Sequence, residues 1–307
     1  MMDIIFQYLI NGLMLGIIYA MVAVGFTLFF GTLNVIQFSH GDVLTLGAFS
    51  GLASIYFVHS NSVWMTIFLI LMFSIVITSI VGMFIARYLI LPMRNAPSIN
   101  ILLSTLMFGT VIRESLRLFY PDGANPKRFP NLLPTGQLSL GSFSISVDNI
   151  YILFFGLFVI ISLAVLINKT KLGLAIRAIS QDSETAKLMG IPFNRYVLIT
   201  FIIGSSLAAI AGVMDALYYN EINFSMGLLL GVIGFTSAII GGLGNIYGAI
   251  IGGFLFAFLE VVGGSLIPTL FPTIPSAYKD VFAFTMVIIL MSFKPTGLLP
   301  EKFNERV

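Results

Sequence analysis

Long uncharged stretches govern what this chain can become. No Asp, Glu, Lys or Arg occurs in 4–41, 43–86, 196–214, 222–259, 261–278 or 281–293. An apolar run of about 20 residues is long enough to cross the hydrocarbon core of a bilayer as a helix. Soluble domains carry about a quarter of their residues charged; here the charged share is 9% and the hydrophobic share 58%. Only helices and closed barrels satisfy their backbone in lipid, and these runs lack the alternation of barrel strands. The sequence therefore predicts an all-α, polytopic integral membrane helical bundle, a single domain over 1–307 with the lipid bilayer as its solvent.

Nine candidate spans follow, near 4–30, 43–58, 62–86, 97–112, 149–168, 196–219, 226–243, 245–267 and 281–293. Two of them, 43–58 and 281–293, are short enough to be half-helices, so the expected count is eight to nine. Spans 226–243 and 245–267 meet at "GGLGN", which suits either a tight reversal or a broken helix. Lys and Arg favour the cytoplasmic side. If all nine cross, 87–96, 169–195 and the tail from 294 share one side and hold ten of the fifteen basic residues. Residues 169–195 and the C-terminus are accordingly expected in the cytoplasm. The proline-rich stretch 113–148, with Arg113, Arg117, Lys127 and Arg128, is expected as the external loop. The opening "MMDIIFQYL" lacks a basic leader region and reads as the start of a retained helix.

Several chemistries are excluded. With no cysteine and only His40 and His59, there is no disulfide, thiolate site or His-based metal centre, and no cofactor is expected. No P-loop occurs, and "GGLGNIYG" fails the dinucleotide spacing. No basic patch stands outside the membrane pattern, so nucleic acid is not an expected partner.

Against this background "RAISQDSETAKLMGIPFNR" (177–195) holds five charges in nineteen residues. Asp182 or Ser183 can cap a helix, with Glu184 at its positive end and Lys187 toward its negative end. Gly190 suits the left-handed position that ends it, Ile191 the hydrophobic contact that follows, and Pro192 the stop. The segment thus encodes a helix of about two turns, with Ala186, Leu188 and Met189 as an apolar surface. So short a helix is marginal alone in water, which points to docking; a solvated loop is the competing reading.

The same segment resembles the cytoplasmic loop of permease subunits in ATP-binding-cassette importers for branched-chain amino acids, the LivH type. Four further stretches agree, in order: "VIQFSHGDVLTLGAF" (35–49), "FIIGSSLAAIAGVM" (201–214), "FTSAIIGGLGNIYGAIIGG" (235–253) and "YKDVFAFTMVIILMSFKPTGLL" (278–299). The resemblance covers essentially the whole chain and implies a subunit of the bacterial or archaeal plasma membrane. It implies a second, related permease subunit, two cytoplasmic ATPase subunits that hydrolyse the ATP, and a soluble substrate-binding protein outside. Arg177, Asp182, Ser183, Ala186 and Gly190 then belong to the ATPase-coupling segment.

Polar residues inside the spans carry the remaining expectations, since intramembrane charges face a cavity or a partner. Glu260 either lines the path or pairs structurally. Gln37, His40, Gly41 and Asp42 form an interfacial helix start or a gate hinged at Gly41. Small residues at four-residue spacing, Gly204, Ala208 and Gly212, then Gly244, Gly248 and Gly252, are expected to let helices pack closely. Asp215 and Glu221 stand where small or apolar residues are more usual in the family. They leave open whether the solute is an aliphatic amino acid or something more polar such as urea or a short amide. A different class of protein, an ion-coupled transporter or channel using Glu260, Asp215 and His40, is the rival reading.

Overall fold

The computed structural model describes residues 2–57, 62–140, 143–270, 273 and 275–299; His59 lies outside them. The chain is a helical bundle as the apolar runs predict. It comprises α1 (Met2–Leu33), α2 (His40–Phe57), α3 (Val63–Phe84), α4 (Ser98–Phe119), α5 (Val147–Lys169), α6 (Lys171–Gln181), α7 (Ser183–Leu188), α8 (Phe193–Tyr219), α9 (Met226–Gly241), α10 (Ile246–Leu270) and α11 (Lys279–Phe293). Among the described residues, seven helical segments are long and apolar enough to cross a membrane. α2 and α9 complete the expected nine. The short apolar segment is α9, with 16 residues. α2 has 18 residues but is less apolar, and the last segment, with a 3-10 turn ahead of α11, extends over the 18 residues Ser276–Phe293 and is long and apolar enough to cross.

α1 forms the axis. From Ile17 to Val24 no side chain is more than 3% exposed, as befits a helix that is apolar all round. It packs against α8, α9, α10 and α5. α3, α4, α5 and α11 form the outer ring and turn Phe68, Val111, Phe158 and Ile288 outward. α3 runs on into a π-helical turn, Ile85–Ile90, so this crossing reaches Val63–Ile90.

Small residues set the closest approaches. Gly16 lies against Phe254, Gly204 against the Phe29 ring, Gly212 against the Leu44 carbonyl, Gly248 against the Gly241 carbonyl and Gly252 against the Ser237 carbonyl. Ala208 is fully buried on α8. A Cβ at any of these glycines would displace a neighbour, which is why small-residue faces let membrane helices associate. Gly244 differs from the expectation. It sits at φ +93 in the turn before α10, beside Gly242 at φ +105, so its role is conformational.

"GGLGN" is therefore a tight reversal. α10 returns antiparallel to α9, and Asn245 Oδ1 accepts from the amides of Tyr247 (3.0 Å) and Gly248 (3.3 Å). The end of α9 leaves carbonyls without intrahelical partners. The amides of Leu298 and Leu299 donate to Ile240 (2.8 Å) and Gly241 (2.9 Å) and satisfy two of them. The "PTGLL" tail is thereby stitched to the reversal.

Two ends can be distinguished. One carries α6, α7 and the α9–α10 reversal. The other carries two small antiparallel pairings within and beside 113–148. These are a β2–β3 hairpin (Gln137–Leu140 with Phe143–Ser146) and a short β1–β4 pair (Lys127–Arg128 with Glu221–Ile222). Arg113 and Arg117 belong to α4 rather than to a loop.

Candidate functional site

Three polar regions interrupt the apolar bundle, at different heights. The first is the charged segment at the α6–α7 end. It begins one helix earlier than the sequence predicts. Thr170 caps α6 by accepting from Gly173 N at 3.2 Å. Gly173, Ala175, Ile176 and Ile179 are buried, so α6 lies with its apolar face on the bundle. Arg177 donates from Nη2 to the Asn168 carbonyl at 3.4 Å, at the carbonyl end of α5.

α7 follows with both ends made locally. Asp182 Oδ1 accepts from Glu184 N (2.9 Å) and Thr185 N (3.0 Å). Asp182 is thus the cap, and Ser183 is the first helical residue. At the other end Gly190 adopts φ +82. Gly190 N donates to Lys187 O and Ile191 N to Ala186 O, both at 3.0 Å, the paired bonds of a Schellman motif.

The apolar surface of α7 is divided. Ala186 is 4% exposed and faces its own chain, while Leu188 at 88% and Met189 at 78% point away from it. The expectation of one apolar surface of all three does not hold: Leu188 lies about 200° round the helix from Ala186, and Met189 is the C-cap, outside the regular turn that would bring it beside Ala186. Beside them Lys187 stands over the Phe193 ring, and Arg94 lines the same shallow cleft as Gly190 and Pro192.

The second region lies within the bundle. After α1, residues 34–39 fold back among the helices. Phe38 N donates to Thr105 Oγ1 at 3.2 Å, and Asp42 meets Arg113 at 3.1 Å. Thr105 and Arg113 are respectively about 10 and about 22 Å along α4 by the helical rise. His40, Gly41 and Asp42 are therefore buried inside the bundle, part-way along α4, rather than at its end, where one of the two expectations, an interfacial helix start, would put them. Gly109 is what lets the Asp42 carboxylate reach α4, since a Cβ there would strike Asp42 Oδ2. Gly41 abuts the backbone of Gly227 and Gly231 on α9, and Gly227 N donates to Thr45 Oγ1 at 2.9 Å. His40 stands edge-on to Phe26 and Phe29. Gln37 Nε2 donates locally to Ser39 Oγ at 3.1 Å. Arg113 is the residue that sequence reasoning missed here, because it ends an apolar run and was assigned to the loop beyond.

The third region is a cavity of about 480 Å³ at the hairpin end, where the ends of α8 and α10 and the starts of α9 and α11 converge on Tyr19 of α1. Glu260, 1% exposed, accepts from Tyr19 Oη at 2.6 Å and pairs with Lys279 at 2.5 Å. Asp215, 5% exposed, lines the same cavity, and its Oδ1 has no hydrogen-bond partner. Lys279 and Tyr19 were not assigned to Glu260 by sequence reasoning.

This geometry sets an expected result for Glu260. Glu260→Gln keeps an acceptor for Tyr19, and Lys279, 38% exposed on its side chain, can turn to water. Glu260→Gln will therefore lower stability by only about 1 kcal/mol, the scale of a solvated ion pair. Glu260→Leu leaves the Tyr19 hydroxyl buried and unpaired and will cost about 1–3 kcal/mol. Thermal unfolding in detergent checks both; equal losses would mean that Tyr19 does not depend on Glu260.

Known proteins resemble this chain over nearly its whole length. The family model described as "Branched-chain amino acid transport system / permease component" matches residues 8–291. The chain is 33% identical over 308 residues to the high-affinity branched-chain amino acid transport system permease protein BraD of Pseudomonas aeruginosa, covering 98% of this chain and 97% of that protein. It is 31% identical over 311 residues to the corresponding permease protein LivH of Escherichia coli K12, with the same coverages. Among solved structures, PsaBC from Streptococcus pneumoniae in complex with Fab covers 96% of this chain and 92% of that chain, at 15% identity and a TM-score of 0.48.

Proposed function

The chain belongs to the family of permease components of branched-chain amino acid transport systems, and from that premise we propose how it works. It is a membrane translocation subunit of an ATP-driven importer for branched-chain or other hydrophobic amino acids. The observation that carries this reading is the match over 98% of the chain to two such permeases.

In this reading the chain forms half of the path, and a second, related permease subunit forms the other half. The α6–α7 end and the C-terminus face the cytoplasm of a prokaryotic cell, where a pair of ATPase subunits docks. A soluble binding protein delivers solute to the hairpin end. α7 supports the docking role because its caps are self-contained while Leu188 and Met189 are left exposed. An exposed apolar pair beside Arg94 and Lys187 has the composition of a protein contact. The glycine contacts of α2 with α9 support a seam of close backbone approach, pinned where Thr45 Oγ1 accepts from Gly227 N.

The test is transport by the reconstituted assembly in vesicles. Leucine uptake will require ATP and will persist when ionophores collapse proton and sodium gradients. Uptake by this chain alone that follows an ion gradient would overturn the reading and favour the ion-coupled class.

A further inference from the structure

We propose that the cavity at the hairpin end binds a small protonated amine, with the Asp215 carboxylate receiving the ammonium group. As an assignment of which part of the solute this permease reads, the inference rests on the transport reading above.

Four carboxylates line the cavity, Asp215, Glu221, Glu260 and Asp280, against one ammonium, Lys279. Glu260 is already committed, one oxygen to Tyr19 and the other to Lys279. Asp215 is not. It is 95% withdrawn from solvent, its Oδ1 has no partner, and it forms part of the cavity wall. A buried carboxylate is costly to leave alone, so the cavity lacks a donor at this point.

The chemistry of that donor can be narrowed. Among the described residues no group of three or more His, Cys, Asp or Glu could hold a metal ion; a lone unpaired carboxylate is best served by a cation that brings its own hydrogen-bond donors. An ammonium supplies three donors and one positive charge from a compact head. Leu229, Leu230 and Ile233 of α9 form the apolar part of the same wall, which suits a short alkyl chain beside the charge. The ligand class is therefore a small aliphatic ammonium, alone or as part of an amino acid. Asp215, not Glu260, selects it.

The experiment measures binding of radiolabelled 3-methylbutylammonium to the full-length chain, purified in mild detergent with the subunits that accompany it. Saturable binding is expected, displaced by unlabelled amine and not by the neutral isostere 3-methylbutan-1-ol or by sodium at equal concentration. Asp215→Asn is expected to weaken binding about tenfold, as loss of one charge-assisted hydrogen bond requires. No saturable binding, equal displacement by the alcohol or by sodium, or unchanged affinity in Asp215→Asn would each overturn the proposal. Should Asp215→Asn fail to accumulate, the competition on the unaltered chain decides alone. Leucine uptake by the reconstituted assembly is scored separately. Uptake without amine binding defeats only this assignment, and amine binding without ATP-driven uptake defeats only the transport reading.

Discussion

Replacing Arg113 by Ala will destabilise the bundle by about 3–5 kcal/mol, the cost of stranding a buried charge when its partner is removed. The Asp42 and Arg113 side chains are 7% and 17% exposed, so neither is relieved by water as a surface pair would be. Asp42 also has no route out. Its helix is held by α9 at Gly41 and by α3 and α8 along its length, and Gly109 is cut away to admit its carboxylate. Polar contacts between membrane helices typically contribute far less, about 0.6 kcal/mol on average. The larger figure applies because what remains after Arg113→Ala is an unpaired charge rather than a lost hydrogen bond. The double variant Asp42→Asn with Arg113→Ala removes both charges and should recover most of the loss; the unaltered chain, Arg113→Ala, Asp42→Asn and this double variant are the four corners. Thermal unfolding of the four proteins forms a complete cycle. A cost below about 1 kcal/mol for Arg113→Ala would mean that the pair is solvated and that α2 does not begin inside the bundle.

Leu188→Asp will reduce ATP-driven uptake by about tenfold or more while leaving the chain folded. The two halves of this expectation have different sources. Leu188 is 88% exposed within the chain, and substitutions at such positions usually change stability by less than about 0.5 kcal/mol. At a protein contact, an apolar anchor turned into a charge costs about 2 kcal/mol or more, which exceeds a factor of ten in affinity. Ala186→Asp is a poorer probe, because Ala186 faces its own chain and its substitution disturbs the seat of α7 directly. Uptake at the normal rate in Leu188→Asp, with normal amounts in the membrane, would remove the docking role from α7.

The elements most legible in the sequence are those specified by neighbours along the chain. Asp182, Gly190 and Pro192 bracket α7 because a cap is made within three or four residues. The spans were legible because lipid demands an apolar run of fixed length. Glycine spacing foretold packing at Gly204, Gly212, Gly248 and Gly252, but not at Gly244, whose left-handed conformation depends on the reversal it serves. What remained hidden is tertiary. Asp42 and Arg113 stand 71 positions apart, and nothing local says that α2 starts part-way along α4. α6 escaped notice because its apolar residues follow the α5 span with only Thr170 between them. Glu260 was visible as an intramembrane acid. That it is paired while Asp215 is not depends on where α11 places Lys279.

The chain has no cysteine, so single cysteines report their surroundings without background. The decisive measurement is photocrosslinking of Leu188→Cys, in native membranes, after its thiol is alkylated with a maleimide that carries a benzophenone, which inserts into C–H bonds of whatever lies against α7. A product with the ATPase subunit is expected from Leu188→Cys, and from Met189→Cys, with none from Ala186→Cys or from Leu138→Cys at the hairpin end. An ATPase that co-purifies with the chain yet crosslinks equally from Leu138, or not at all from Leu188 and Met189, would contradict it.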